Sequence, residues 1–192
     1  MARTPSTMLE LGTQLPAFDL VDTEGDRVSS HALPQKSGIV VMFISNHCPF
    51  VIEIKEALAV FGREYEGRFS IIAMASNDTD AYPQDGLAQM KADKATYGYP
   101  FPYLLDKEQE VAQSFRAACT PDFYLFDADQ LLVYRGQFDG SRPGNDISPS
   151  GQDLRDACDR LLTNKTPSPE QLPSIGCNIK WKPGNEPDYF LR

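Results

Sequence analysis

Residues 39–44, Ile-Val-Val-Met-Phe-Ile, form an unbroken apolar run rich in β-branched side chains. That is the pattern of a central strand buried on both faces. Residues 69–75 repeat it. Residues 18–21 alternate apolar and polar, a polar turn follows at 22–25, and Arg27-Val28 continue, which predicts a short hairpin. Between 50 and 65 the pattern changes period: Val51, Ile54, Leu58, Phe61 and Tyr65 recur at helical spacing, with Pro49 placed where a first helical turn needs no N–H. Further helices are predicted over 87–94, 107–117 and 153–162, the last capped by Ser150. Strands are predicted over 101–105, 123–126 and 131–134, and loops over 77–85 and 136–151. The order ββ-β-α-β-α-β-α-β-β-α predicts a three-layer α/β domain with a mixed sheet, residues 1–162.

Residues 163–192 form a proline-bearing extension. They also hold Ile175, Ile179, Tyr189, Phe190 and the only tryptophan, Trp181. A disordered tail rarely carries so much apolar surface, so the expectation is a strap packed back onto the domain.

Charge narrows the partners. With 27 acidic against 18 basic residues the net charge is −9. Such a chain has no overall attraction for nucleic acid or for an anionic membrane surface. No apolar run approaches the ~20 residues of a spanning helix, and the N-terminus lacks an apolar signal core, so a cytoplasmic location is expected.

Four cysteines, Cys48, Cys119, Cys158 and Cys177, are too few for a disulfide scaffold in 192 residues. Cys48 is predicted at the junction between the 39–44 strand and the following helix. There unpaired N–H groups and the positive helix end favour the thiolate, and His47 adds charge when protonated. Cys158 shares a helix face with Leu154, Ala157, Leu161 and Leu162 and is expected in the core. Spacing supports no metal site, and no nucleotide-binding glycine motif occurs, so no cofactor is expected.

Three segments, Asn46-His47-Cys48-Pro49-Phe50-Val51, Cys119-Thr120-Pro121-Asp122-Phe123 and Gly176-Cys177-Asn178-Ile179-Lys180-Trp181, together resemble a peroxiredoxin-like subgroup of the thioredoxin superfamily. The resemblance covers about residues 10–185. It implies a three-layer α/β/α thioredoxin fold with a mixed sheet, N-terminal hairpin and C-terminal strap. It also implies a thiol-dependent oxidoreductase with Cys48 as nucleophile, and a groove shaped by His47, Pro49, Thr120 and Pro121, the last two as a cis-proline loop. Val51 stands where that superfamily carries the second cysteine of Cys-x-x-Cys. With Cys48 taken as the last member of the peroxiredoxin motif Pro-x-x-x-Thr/Ser-x-x-Cys, Ser45 fits and Val41 stands in place of the proline; by the resemblance itself the peroxidatic cysteine aligns with Val51 rather than Cys48. Resolution of an oxidised Cys48 then falls to Cys119, two residues before Pro121, or to Cys177, if the strap crosses the same sheet end. The implied partners are a disulfide or peroxide substrate and a thiol reductant, either a thioredoxin-like protein or a small thiol. The other class of function is a non-catalytic redoxin-fold module that senses redox state or binds a partner protein or a metal.

Overall fold

The computed structural model describes residues 3–190; Met1, Ala2, Leu191 and Arg192, which the readings of the N-terminus and the strap include, lie outside the described residues. The chain runs β1 (Arg3–Pro5), β2 (Asp19–Asp22), β3 (Arg27–Ser29), β4 (Ile39–Phe43), α1 (Pro49–Ile52), α2 (Lys55–Tyr65), β5 (Ser70–Ala75), α3 (Leu87–Tyr97), β6 (Tyr103–Leu105), α4 (Glu110–Ser114), β7 (Cys119–Thr120), β8 (Asp122–Phe126), β9 (Leu132–Gly136), α5 (Gln152–Leu162) and β10 (Ile175–Asn178).

Seven strands form a mixed sheet in the order β3-β2-β6-β5-β4-β8-β9. β4 pairs in parallel with β5 and antiparallel with β8, and all five of its residues are buried. Its alternating side chains feed two cores. Val40 and Met42 join Leu58 and Phe61 of α2, Met90 of α3 and Leu154 of α5. Val41 and Phe43 join Val111 and Ala112 of α4, Phe115, and Ile179 and Trp181 of the C-terminal extension. Helices therefore cover one face, and α4 with the extension covers the other. Among the described residues no helix is long and apolar enough to cross a membrane.

Several local expectations change. The predicted 50–65 helix is two helices, broken at Glu53-Ile54, where Ile54 has φ −106° and ψ 0°. Val51, Ile54 and Leu58 stay on the core side because a single turn preserves the three- and four-residue spacing that suggested one helix. The 107–117 helix shrinks to α4, bounded by Gln109 and Arg116, both with left-handed backbone. Asp106 accepts hydrogen bonds from the N–H groups of Val111 and Ala112 and so fixes its start. Ser150 is not the N-cap residue of α5, though its hydroxyl accepts the N–H of Gln152, the first helical residue, at 3.3 Å. Gly151 takes the cap position at φ 71°, packed so closely on the Phe138 ring that a Cβ would overlap it. The 77–85 loop contains a 3-10 turn, Pro83–Asp85.

The largest addition is a second sheet, β1-β10-β7, in which β10 of the extension lies antiparallel between the N-terminal strand and the segment before Pro121. Gly176 is required there: a Cβ would overlap the Thr120 carbonyl oxygen, so only glycine lets β10 come this close.

Candidate functional site

Cys48 follows the carboxyl end of β4 and is the N-cap residue of α1, with Pro49 at the first helical position. Its carbonyl accepts the N–H groups of Val51 and Ile52, both at 2.9 Å. Its side chain turns inward, and the residue is 1% exposed. The thiol donates to the Thr120 carbonyl at 3.1 Å. The Thr120–Pro121 peptide bond is cis.

The antiparallel register of β10 on β7 places Cys177 opposite Thr120 and Asn178 opposite Cys119. Cys177 is thereby brought into sulfur–sulfur hydrogen-bond contact with Cys48. Cys119 is one residue out of phase. Its thiol is fully buried and lies 3.7 Å from the Pro121 carbonyl oxygen. The structure therefore brings Cys48 and Cys177 together and gives Cys119 a separate contact. Cys158 is buried on α5 with Leu154 and Ala157. The four cysteines form no disulfide with one another.

The electrostatics distinguish these thiols. Cys48 is held at about 6, below the ordinary thiol value, chiefly because Cys177 donates its S–H to the Cys48 sulfur. Burial opposes the shift; hydrogen bonds from Thr120 and from the N–H groups of Cys177 and Val51 assist it. The Val51 N–H, at the helix start expected to favour the thiolate, acts in the same direction, after Cys177 and Thr120. Cys177 shifts upward because its proton is committed to Cys48, with burial adding. Burial also pushes Cys119 and Cys158 up, which leaves both in the thiol form. Next to Cys119, fully buried Asp122 is raised to about 7, mainly by burial, although Tyr124 donates to it at 2.8 Å.

The residues before Cys48 are held by groups the sequence did not single out. His47 Nδ1 lies 2.7 Å from Asp85 Oδ2, so its proton points to the carboxylate, and its ring stacks on Tyr82. Asn46 uses every polar group it has. Its N–H donates to Asp85, its carbonyl accepts from Lys55, its Oδ1 accepts from Tyr103 and its Nδ2 donates to the Gln84 carbonyl. Asp85 lies 37 residues beyond Cys48 in a segment that reads only as a loop, so no local signal pointed to it.

Open space is small at the site. The cleft bordered by Phe50, Pro121, Arg142 and Ile175 holds only about 10 Å³. A cleft of about 430 Å³ lies at the other end of the sheet, lined by Lys36, Phe69 and Phe101 among others. Among the described residues no group of three or more His, Cys, Asp or Glu is arranged to hold a metal ion.

A mixed sheet between two covering layers, with a cysteine at a strand–helix junction facing a cis-proline, defines a redoxin of the thioredoxin superfamily. The chain belongs to the AhpC/TSA family, whose profile matches residues 11–135. It is 25% identical over 126 residues to the thiol-disulfide oxidoreductase ResA of Bacillus thuringiensis, covering 65% of this chain and 68% of that one. An uncharacterized conserved protein from Geobacillus kaustophilus superposes with a TM-score of 0.93 at 45% identity, over 96% of this chain and 98% of that one. A hypothetical protein from Sinorhizobium meliloti does so with a TM-score of 0.92 at 46% identity, over 94% and 100%. A secreted disulfide oxidoreductase from Mycobacterium tuberculosis shares the fold, with a TM-score of 0.58 at 16% identity over 76% and 95%. The family match ends before α5 and β10, so Cys177 lies outside it.

Proposed function

We propose that this chain is a thiol-dependent oxidoreductase whose working pair is Cys48 and Cys177. The observation that carries the reading is the register that sets Cys177 opposite Thr120, the residue whose carbonyl accepts the Cys48 thiol, so that an acidic nucleophile and a second thiol on a different element meet. Family membership and the likeness to ResA support disulfide exchange. In that cycle the Cys48 thiolate attacks one sulfur of a substrate disulfide. A mixed disulfide forms, and the other substrate sulfur leaves as a thiolate and takes up a proton. Cys177 then gives up its proton and attacks the Cys48 sulfur. The second substrate sulfur departs, and a Cys48–Cys177 disulfide closes. Two electrons have moved from the protein dithiol to the substrate. An external dithiol or two small thiols return them.

The near-complete burial of both sulfurs, 1% and 3% exposed, favours a second reading with a small oxidant. The Cys48 thiolate attacks a peroxide oxygen, giving a sulfenic acid and an alkoxide or hydroxide that is protonated. Cys177 condenses with the sulfenic acid and releases water. Both routes end in the same disulfide.

Peptide mapping by mass spectrometry after one equivalent of oxidised glutathione, and separately of hydrogen peroxide, tests the reading. The expected product is a Cys48–Cys177 disulfide with Cys119 and Cys158 still reduced, absent in Cys48→Ser. Which oxidant forms it faster separates the two routes. An unmodified Cys48 would instead favour the non-catalytic module, and a Cys48–Cys119 disulfide would move the second thiol to the cis-proline loop.

A further inference from the structure

Asp85 is completely buried, and its carboxylate is met by donors. Its Oδ1 accepts from the Asn46 N–H at 2.8 Å and the Ser45 hydroxyl at 3.2 Å. Its Oδ2 accepts from His47 at 2.7 Å and from Asn77 Nδ2 at 2.7 Å. One carboxylate therefore holds three consecutive residues, the three that precede Cys48. A buried carboxylate surrounded by donors is a demanding arrangement: its neutral amide counterpart would point two N–H donors at groups that are themselves donors.

Asn77 carries the connection onward. Its Oδ1 accepts the Lys180 N–H at 2.8 Å, three residues beyond Cys177. The Lys180 carbonyl accepts from the Asp78 N–H at 2.7 Å and from Gln109 Nε2 at 2.8 Å. An unbroken line of hydrogen bonds thus runs from the segment holding Cys48, through Asp85 and Asn77, to the segment holding Cys177. The pair connects two parts of the chain that share no covalent proximity.

We propose that Asp85 and Asn77 are positioning residues that hold the Cys48 and Cys177 sulfurs in mutual reach, so that together they set how readily the Cys48–Cys177 disulfide forms. The proposal rests on the Cys48–Cys177 reading above. Neither residue touches sulfur. Their effect is on the effective concentration of one thiol at the other, which depends steeply on placement. Asp85→Asn disturbs the hold on residues 45–47. Asn77→Ala leaves Asp85 on that segment and removes only the link to Lys180. In the exchanged variant, Asp85→Asn with Asn77→Asp, an amide at 85 donates to a carboxylate at 77, and that carboxylate still accepts from Lys180.

The test is the equilibrium of the full chain with reduced and oxidised glutathione, read by mass spectrometry of the trapped thiols. In this equilibrium the protein disulfide and two glutathione molecules exchange with the protein dithiol and one oxidised glutathione. Each single variant is expected to lower the effective concentration of the Cys48–Cys177 pair by about tenfold or more, and the exchanged variant to recover part of the loss. Circular dichroism and denaturant midpoints report folding separately, and Asn77→Ala serves should Asp85→Asn fail to fold. Folded variants whose glutathione equilibria stay within about twofold of the unaltered chain would overturn the positioning role alone. An unaltered chain that forms no Cys48–Cys177 disulfide would overturn the reading beneath it, and the proposal with it.

Discussion

One proton governs the chemistry at Cys48. When both thiols are protonated, Cys48 donates to the Thr120 carbonyl. When Cys48 ionises, Cys177 supplies the S–H that stabilises the anion, and its own acidity falls. The first macroscopic ionisation belongs to the pair. Below pH 6 the pair holds both protons and Cys48 reacts slowly. As pH rises through about 6 the thiolate accumulates and the rate levels off. The alkylation rate of Cys48 by iodoacetamide, followed by mass spectrometry from pH 4 to 9, should show that midpoint. In Cys177→Ala the donor is lost and the burial remains, so the midpoint should rise back toward the ordinary thiol range. An unmoved midpoint would return the credit to the start of α1. At this scale Cys48 was legible because a buried strand followed directly by Pro49 marks a strand–helix junction. Which thiol lies against Cys48 was not, because Cys119 and Cys177 differ by one residue of register on opposing strands, and sequence does not show which sulfur faces inward. Asp85 was illegible for a different reason: its ligands come from residues 45–47 and 77, and no short-range pattern joins them.

At the scale of elements, the proposed cycle gives β10 the part that a second cysteine on α1 plays in a Cys-x-x-Cys site. Val51 occupies the position one turn after Cys48 and is buried in the core, and the thiol that β10 brings to Cys48 comes from the C-terminal extension. The path of that extension depends on Gly176. Gly176→Ala places a methyl group against a carbonyl oxygen that β7 cannot withdraw without disturbing its own pairing. It should destabilise the fold by about 1–3 kcal/mol in denaturant titration. It should also slow closure of the Cys48–Cys177 disulfide at least about tenfold, since the strand that carries Cys177 is pushed outward. A variant with unaltered stability and closure rate would mean that β10 is not held this tightly. Most elements of the main sheet followed from apolar runs and alternation. The break at Glu53-Ile54 did not, because one turn keeps the helical spacing of Val51, Ile54 and Leu58. Neither β1 nor the small sheet could be anticipated: three residues, Arg-Thr-Pro, carry no period, and their pairing is supplied entirely by the strand brought back from the other end of the chain.

At the scale of the whole molecule, the dithiol lies beneath its own chain. β10 is fixed on both sides, by β1 and β7 along its length, by Ser6 N–H to the Ser174 carbonyl before it, and by Asn77 and Gln109 at Lys180 after it. Trp181 anchors the following residues in the second core. Exchange requires an incoming thiolate to approach a disulfide sulfur along the S–S axis, and sulfurs 1% and 3% exposed leave no such approach while β10 is seated. Reduction should therefore wait on a local opening of the strap, of the kind that amide exchange detects in segments less stable than the whole fold. The kinetic consequence is specific. With increasing dithiothreitol or glutathione, the rate of reduction of the Cys48–Cys177 disulfide should rise and then reach a plateau set by the opening rate. The plateau should be the same for both reductants. Gly176→Ala, which loosens the strap, should raise it, and amide exchange at residues 175–178 should accelerate in parallel. A rate that stays proportional to reductant concentration, with dithiothreitol and glutathione differing only by their intrinsic reactivity, would show that the sulfurs are reached with the strap in place. The burial of the pair would then limit the size of the reductant rather than the timing of its attack.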